Sequence, residues 1–427
     1  MKCPRWHNCI SEKGDWGRMV EKAYEWVDGA TLEEHSRRKH RILREYFSQY
    51  LKVRLGHPQQ TKFRFSIVDG FAGAGTYKCG SPGSPLIFVD VLRGTLKEVN
   101  IHRAAEGLAL VEIECLLILN DGEQDAVELL KQNMAPALAL ARQECPKLQI
   151  RAQYLNGLFE AVYPQIEASL SSEGYTNVVF NLDQCGHSHV QLSTIMAIMR
   201  SRRSVEIFYT FMIEALLAFL RKRNPTLLAR QLSYLGLSPN DLVALEGAMS
   251  RKEWLGAAER IVFEALGTSA PYVSPFSIHN PNGWRYWFVH FANSYRARQV
   301  YNDILHNNAS QQAHYGRPGL HMLSYDPRDE GSLYLFDELG RQQAKDQLME
   351  DIPRLISKVG DAQGVLEFYE EIYNLTPAHT HDIHAALIEN PDIEVITKYG
   401  GARRKANAIN VNDTVRLKPQ RSFYQLF

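Results

Sequence analysis

The glycine-rich stretch Asp69-Gly70-Phe71-Ala72-Gly73-Ala74-Gly75 follows directly on Phe63–Val68, an alternating run of aromatic and β-branched residues. This junction constrains the chain more than any other. A predicted strand that ends in a carboxylate and turns through glycines brings backbone close to a ligand and allows positive φ without steric cost. The helix predicted to begin at Pro85 offers unpaired N–H groups nearby. Phosphate sites and plain turns share such loops, so the surrounding pattern has to decide between them.

That pattern repeats. Further strands are predicted at Leu116–Asn120, Leu148–Leu155, Asn177–Leu182 and Ser204–Thr210, with helices at Gln124–Met134, Leu158–Leu170 and Val190–Met199. Strands alternating with helices imply a parallel sheet covered on both faces. Pro271–Ile278 and Trp284–Ala292 flank a turn containing Asn282-Gly283, a strong hairpin signal. Five parallel strands with a terminal hairpin resemble the Rossmann-like sheet of class I methyltransferases, whose last strand runs antiparallel.

Around this α/β core the sequence predicts four regions. Residues 1–60 form an N-terminal helical segment. Its helix, Thr31–Leu55, carries an apolar stripe through Leu32, Ile42, Leu43, Tyr46, Phe47, Tyr50 and Leu51, with Thr31 and Glu34 as a capping box. Residues 61–310 hold the α/β domain with a helical insertion at 213–268. Residues 311–375 supply a Gly/Pro-rich linker, Ala313–Gly331, and the helix Asp337–Val359. Residues 376–427 read as a small winged-helix-like basic module: helices within Pro377–Asn390, strands at Glu394–Tyr399 and Thr414–Pro419, and Arg403-Arg404-Lys405 between them.

Charge is uninformative at the level of the whole chain, because Lys plus Arg and Asp plus Glu are 48 each. Only local patches speak to nucleic acid. The segment Lys398–Phe427 is such a patch, with basic residues interleaved with Tyr399, Phe423 and Tyr424. It suits phosphates and base stacking, or a solvated wing packed on a partner protein. The 6 cysteines form no CxxC pair and no disulfide framework, which fits a reducing cytoplasm. No secretory signal or membrane span is expected. Cys3, His7 and Cys9 lack a second ligand pair at zinc spacing, so no metal is expected.

The strand ends supply the chemistry. Asp69 is placed to meet a ligand amino group or a water. Asp121, or its neighbour Glu123, stands past the second strand, where an acid takes ribose hydroxyls. Either could instead cap a helix. Asn156 follows the third strand as an adenine-contacting candidate. Ser84 either bonds the cofactor or starts a helix with Pro85. Asp183 stands past the fourth strand. An acceptor there would hold a target amine and aim its lone pair; capping the next helix is the alternative. His187 or His189 could act as a general base or only line the cleft. Lys39 and His40 could reach over the mouth, though a solvated basic face from Arg37 to Arg41 is the simpler reading.

Two motifs sharpen this. Phe71-Ala72-Gly73-x-Gly75 resembles the first motif of class I nucleic-acid methyltransferases. Asn181-Leu182-Asp183-Gln184-Cys185-Gly186 occupies the place of the Asp/Asn-Pro-Pro-Tyr/Phe motif of amino methyltransferases. It is closer to the Asp-Pro-Phe-Gly form of tRNA guanine dimethyltransferases, but Gln184 and Cys185 replace the proline and the aromatic residue. The resemblance implies an S-adenosylmethionine site built from Asp69, Phe71, Ala72, Gly73, Gly75, Ser84, Asp121 and Asn156, with Asp183, Asn181 and His187 at the reacting side. The chain as a whole resembles the three-Cys-motif partner (TcmP) family. The matching pieces are Lys39-His40-x-x-Leu43 with Tyr46, the glycine loop, Gly83-Ser84-Pro85-Leu86, Phe180-Asn181-Leu182-Asp183, and Arg403-Arg404-Lys405 with Asn412-Asp413-x-Val415. That resemblance implies a separate three-cysteine protein, of radical-SAM type, as partner. It leaves open methyl transfer or a non-catalytic module that docks the partner and recognises nucleic acid. A nuclease using Asp69, Asp121 and Asp183 explains the glycine loop less well.

Overall fold

The computed structural model describes residues 26, 29–185, 188–213, 232–237, 261–279, 285–308, 312–315, 333–335 and 338–419. Five strands run parallel: β1 (Lys62–Asp69), β2 (Glu112–Asp121), β3 (Leu148–Asn156), β4 (Asn177–Leu182) and β5 (Ser204–Phe211). Strand β7 (Arg285–Ala292) then inserts antiparallel between β5 and β6 (Tyr272–His279), so β6 shares the direction of β5. The short strands β8 (Gln312–Tyr315) and β9 (Leu333–Leu335) extend this edge, giving the order β3-β2-β1-β4-β5-β7-β6-β8-β9. The stretch 313–331, expected to be only a linker, therefore begins within a strand of the sheet, between β6 and β9.

The central strands are almost continuously apolar because helices cover both faces. On one face lie α1 (Glu34–Leu55), α2 (Ser84–Ala105), α3 (Gln124–Glu144) and α6 (Tyr295–Asn307). On the other lie α4 (Phe159–Ser172), α5 (Leu192–Ser201) and a helical stretch through 261–267. The apolar stripe of α1 packs as its spacing predicts, through Ile42, Tyr46, Phe47, Tyr50 and Leu51. Its expected capping box does not form. The N-cap is Glu33, which makes no side-chain cap bond; its carboxylate lies against His35 instead. Helix α1 is thus a layer of the α/β domain and not a separate segment. Most of the predicted insertion 213–268 and the hairpin turn lie outside the described residues, as do Cys3, His7 and Cys9.

A second unit follows: α7 (Glu338–Lys358), β10 (Ala362–Gly364), α8 (Val365–Ile372), α9 (Thr380–Glu389), β11 (Ile393–Ile396) and β12 (Thr414–Leu417). Helix, strand, two helices and two strands is the winged-helix order, and β12 lies antiparallel between β10 and β11. The unit begins well before residue 376. Strand β10 completes its sheet, and Leu348, Ile352 and Phe368 share one core with Ile383, Leu387 and Val415. That core runs on into Tyr272, Ala292 and Ala297 of the larger domain. Among the described residues, no helix is long and apolar enough to cross a membrane.

Candidate functional site

In an open parallel sheet, ligands sit beyond the carboxyl ends of the strands, where the strand order reverses. Here that point lies between β1 and β4, and Asp69, the glycine loop, Asn181 and Asp183 lie there. Asp69 ends β1 opposite Asn181 of β4, and Gly70 N donates to Asn181 O at 2.9 Å. Asp121 ends β2 opposite Asn156 of β3.

The glycine loop is stitched in place by backbone bonds. Ala72 N donates to Asn120 O at 2.8 Å, and Gly83 N to Gly75 O at 2.8 Å. Gly73 and Gly75 take φ of +57° and +79°, a region costly for other residues. Asn120 and Asn133, which sequence reasoning passed over, brace the loop from beneath. Asn120 Nδ2 donates to Gly70 O and Gly157 O at 3.0 Å each, and Asn133 Nδ2 to Ala74 O at 2.8 Å. Alternation alone does not reveal them. An asparagine where a buried strand meets its loop is the signal available.

The acids are used unequally. Asp121 holds the loop: its Oδ2 accepts from Gly73 N at 2.8 Å and its Oδ1 from Glu123 N at 3.0 Å. Glu123 itself is the exposed N-cap of α3, so of this pair only Asp121 touches the glycine loop. Asn156 faces the β2 turn, its Nδ2 donating to Asp121 O at 3.0 Å and Gly122 O at 3.2 Å. Asp69 is fully buried, and its Oδ2 makes no hydrogen bond. Burial raises its pKa to about 7, against the opposing pull of the nearby Ser84 and Asn181 side chains. Asn181 Nδ2 is likewise buried without a partner. Native folds rarely leave such atoms unsatisfied, so these two point to something they are built to meet.

Two residues complete the cleft. Trp26, not singled out in the sequence, lies on the glycine loop: a Cβ at Gly73 would come within 2.3 Å of its indole. Its ring sits 5.9 Å from that of Tyr77. Lys39 is buried, not solvated, and ion-pairs with Asp183 Oδ1, with Thr210 Oγ1 at 3.4 Å. The basic run on α1 is divided by helical spacing. Arg37 and Arg41 face water, while Lys39 and His40 face the sheet. Burial would raise the Asp183 pKa, but the Lys39 ammonium outweighs it and holds the carboxyl below its ordinary value. Burial drives His40 the other way, down to about 4, which keeps it neutral.

Gln184 accounts for the departure from the proline-rich motif. It is buried, and its Oε1 accepts from His189 N at 3.0 Å and Val190 N at 3.2 Å, tying the loop after β4. The His189 ring stands edge-on to Phe71 at 6.3 Å. His187 lies outside the described residues. No cluster able to hold a metal occurs among the described residues.

In the second unit, Arg403 is not available to a ligand. Its Nε and a terminal nitrogen grip the buried Asp413 at 2.8 and 3.0 Å, bracing the loop between β11 and β12. Arg404 and Lys405 are exposed.

Comparison with known proteins bears on this second unit. Residues 324–400 match the family model of the GMT-like wHTH domain, that is, a winged helix-turn-helix. No curated protein and no solved structure matches the chain.

Proposed function

We propose that the chain is an S-adenosylmethionine-dependent methyltransferase acting on a nucleic-acid amine, working beside a three-Cys-motif partner protein. One observation carries this reading: a buried, unpartnered Asp69 Oδ2 beneath a glycine loop at the sheet's order reversal, one strand from Asp183. The strand order through β6, with its inserted antiparallel β7, supports the same reading, and the winged helix supports a nucleic-acid target.

The residues fit the cofactor. Asp69, ionised, would accept its amino group; the Gly73–Gly75 backbone would take its carboxylate side; Asp121 would hold the ribose; Trp26 would close the cradle. When bound, the cofactor supplies an electrophilic methyl group on a sulfonium. The protein's own task is to present the nucleophile. Asp183, kept ionised by Lys39, would accept from the target amine through Oδ2, the oxygen not paired with Lys39, and orient its lone pair. Excluding water from this pocket strengthens that hydrogen bond.

The non-catalytic binding-module reading has one observation of its own, since Lys39 already satisfies part of the Asp183 carboxylate. Incubation with methyl-labelled cofactor and bulk RNA or DNA, with and without the partner, separates the two. Label transferred to nucleic acid is the expected result. A folded, cofactor-loaded protein that transfers none, while still co-purifying with the partner, would favour the binding module.

A further inference from the structure

In helix-turn-helix modules the second helix of the pair enters the nucleic-acid groove. Here that helix is α9, and it is unsuited to the task. It contains neither lysine nor arginine, and Asp382, Ile383, Ala385, Ala386 and Leu387 are buried. Its buried acid, Asp382, is taken by Arg341, whose Nε lies at 2.6 Å. Its first turn is fastened to α6 of the larger domain, with Thr380 N donating to Asp303 Oδ1 at 2.8 Å. Just before it, Asn302 Nδ2 donates to Thr376 O at 3.0 Å, and Gln299 Nε2 to Tyr373 Oη at 2.6 Å. The helix that should read a groove is the seam between two domains.

The wing, residues 397–413, has the opposite character. It is rigid: Thr397 N donates to Gly401 O at 2.7 Å, Arg403 N to Val395 O at 2.8 Å, and Arg403 locks onto Asp413. With that pair neutralised, Lys398, Arg404 and Lys405 stand exposed with no acid on the wing to oppose them. Tyr399 is 85% exposed near its tip, the Lys398 ammonium 4.9 Å from its ring centre. An aromatic ring this open is accessible for stacking. Beside unpaired cations it forms a stacking platform for a base flanked by phosphates. Only unpaired bases offer their faces in this way.

We propose that this module has exchanged the usual roles: α9 fastens it to the α/β domain, and the wing grips single-stranded nucleic acid through Lys398, Tyr399, Arg404 and Lys405. The proposal deepens the nucleic-acid part of the reading above and is independent of methyl transfer, because it is measured without cofactor.

The test uses the full chain and fluorescence anisotropy with labelled single strands of DNA and of RNA, and the corresponding duplexes. Single strands should bind more tightly than duplexes, and the DNA and RNA arms identify the source. Reversing Arg404 and Lys405 together to Glu should weaken binding about tenfold or more and flatten its salt dependence. Tyr399→Ala should weaken it about tenfold with the salt slope kept. His381→Ala, on the exposed face of α9, should change nothing. Circular dichroism would establish that each variant is folded. Wild-type affinity in the charge-reversed protein, tighter binding to duplex, no binding by the wild type, or a loss confined to His381→Ala would each overturn the proposal.

Discussion

Asp183→Ala is expected to cut methyl transfer by about a thousandfold while leaving cofactor affinity nearly unchanged, the signature of a group that acts on the target and not on the cofactor. The structure adds a complication that can be turned to use. Lys39 is buried, and removing Asp183 leaves its ammonium without its carboxylate partner. Breaking one side of a buried pair costs about 3–5 kcal/mol, so a fall in activity alone would not distinguish lost chemistry from lost stability. The double variant Lys39→Met, Asp183→Leu removes both charges at similar volume and should recover most of that stability. It should recover none of the turnover. Denaturant unfolding and single-turnover methylation on the same samples separate the two effects. Retained turnover in either protein would remove Asp183 from the mechanism.

Arg103→Met should be among the most destabilising single changes in the α/β domain, costing about 3 kcal/mol or more, with no direct effect on the site. The guanidinium is buried where α1 ends and the chain turns towards β1. Its Nε donates to Ala109 O at 2.7 Å. One terminal nitrogen serves Leu55 O and His57 O at 3.2 and 3.1 Å, and the other Pro58 O and Gln60 O at 2.9 and 2.8 Å. These are the carbonyls a helix end and a tight loop leave unsatisfied. Methionine keeps much of the volume and leaves the carbonyls orphaned. Lysine should rescue only partly, because a point charge cannot reproduce the planar fork. The shift in the urea midpoint reports the effect, and an unchanged midpoint would show that water replaces the side chain freely.

Much of the fold was legible because buried parallel strands write long apolar runs. All seven main strands lie within a few residues of their predicted places, and β4 matches to the residue. Helix ends were harder. Helix α3 runs through Pro136 to Glu144, and α2 passes Gly94 to Ala105, although proline and glycine normally mark a stop. Tertiary packing overrode local propensity, through Met134 and Ala141 in α3 and Thr95 and Leu96 in α2. The winged unit starts earlier than its basic stretch suggests, because β10 and α8 carry no basic residues and the four of α7 are matched by four acids. Only pairing of β10 with β12 reveals that they belong.

The site was legible where chemistry sits at strand ends: Asp69, Asp121, Asn181 and Asp183 converge as their positions imply. It was not legible where contacts join distant segments. Nothing near Trp26 in sequence announces that it covers Gly73, and the partner of Lys39 lies 144 residues away. Arg403 shows the converse. A basic triplet reads as a ligand patch, yet its first member is committed to Asp413 inside the wing.

The central claim is a cofactor site under the glycine loop, and calorimetric titration of the purified chain with S-adenosylmethionine tests it most directly. Gly73→Arg is the control, because any side chain there meets the Trp26 indole at a φ of +57°. Saturable binding by the wild type, lost in a folded Gly73→Arg protein, is the predicted result. No binding by a demonstrably folded wild type, or equal binding by both proteins, would contradict the account.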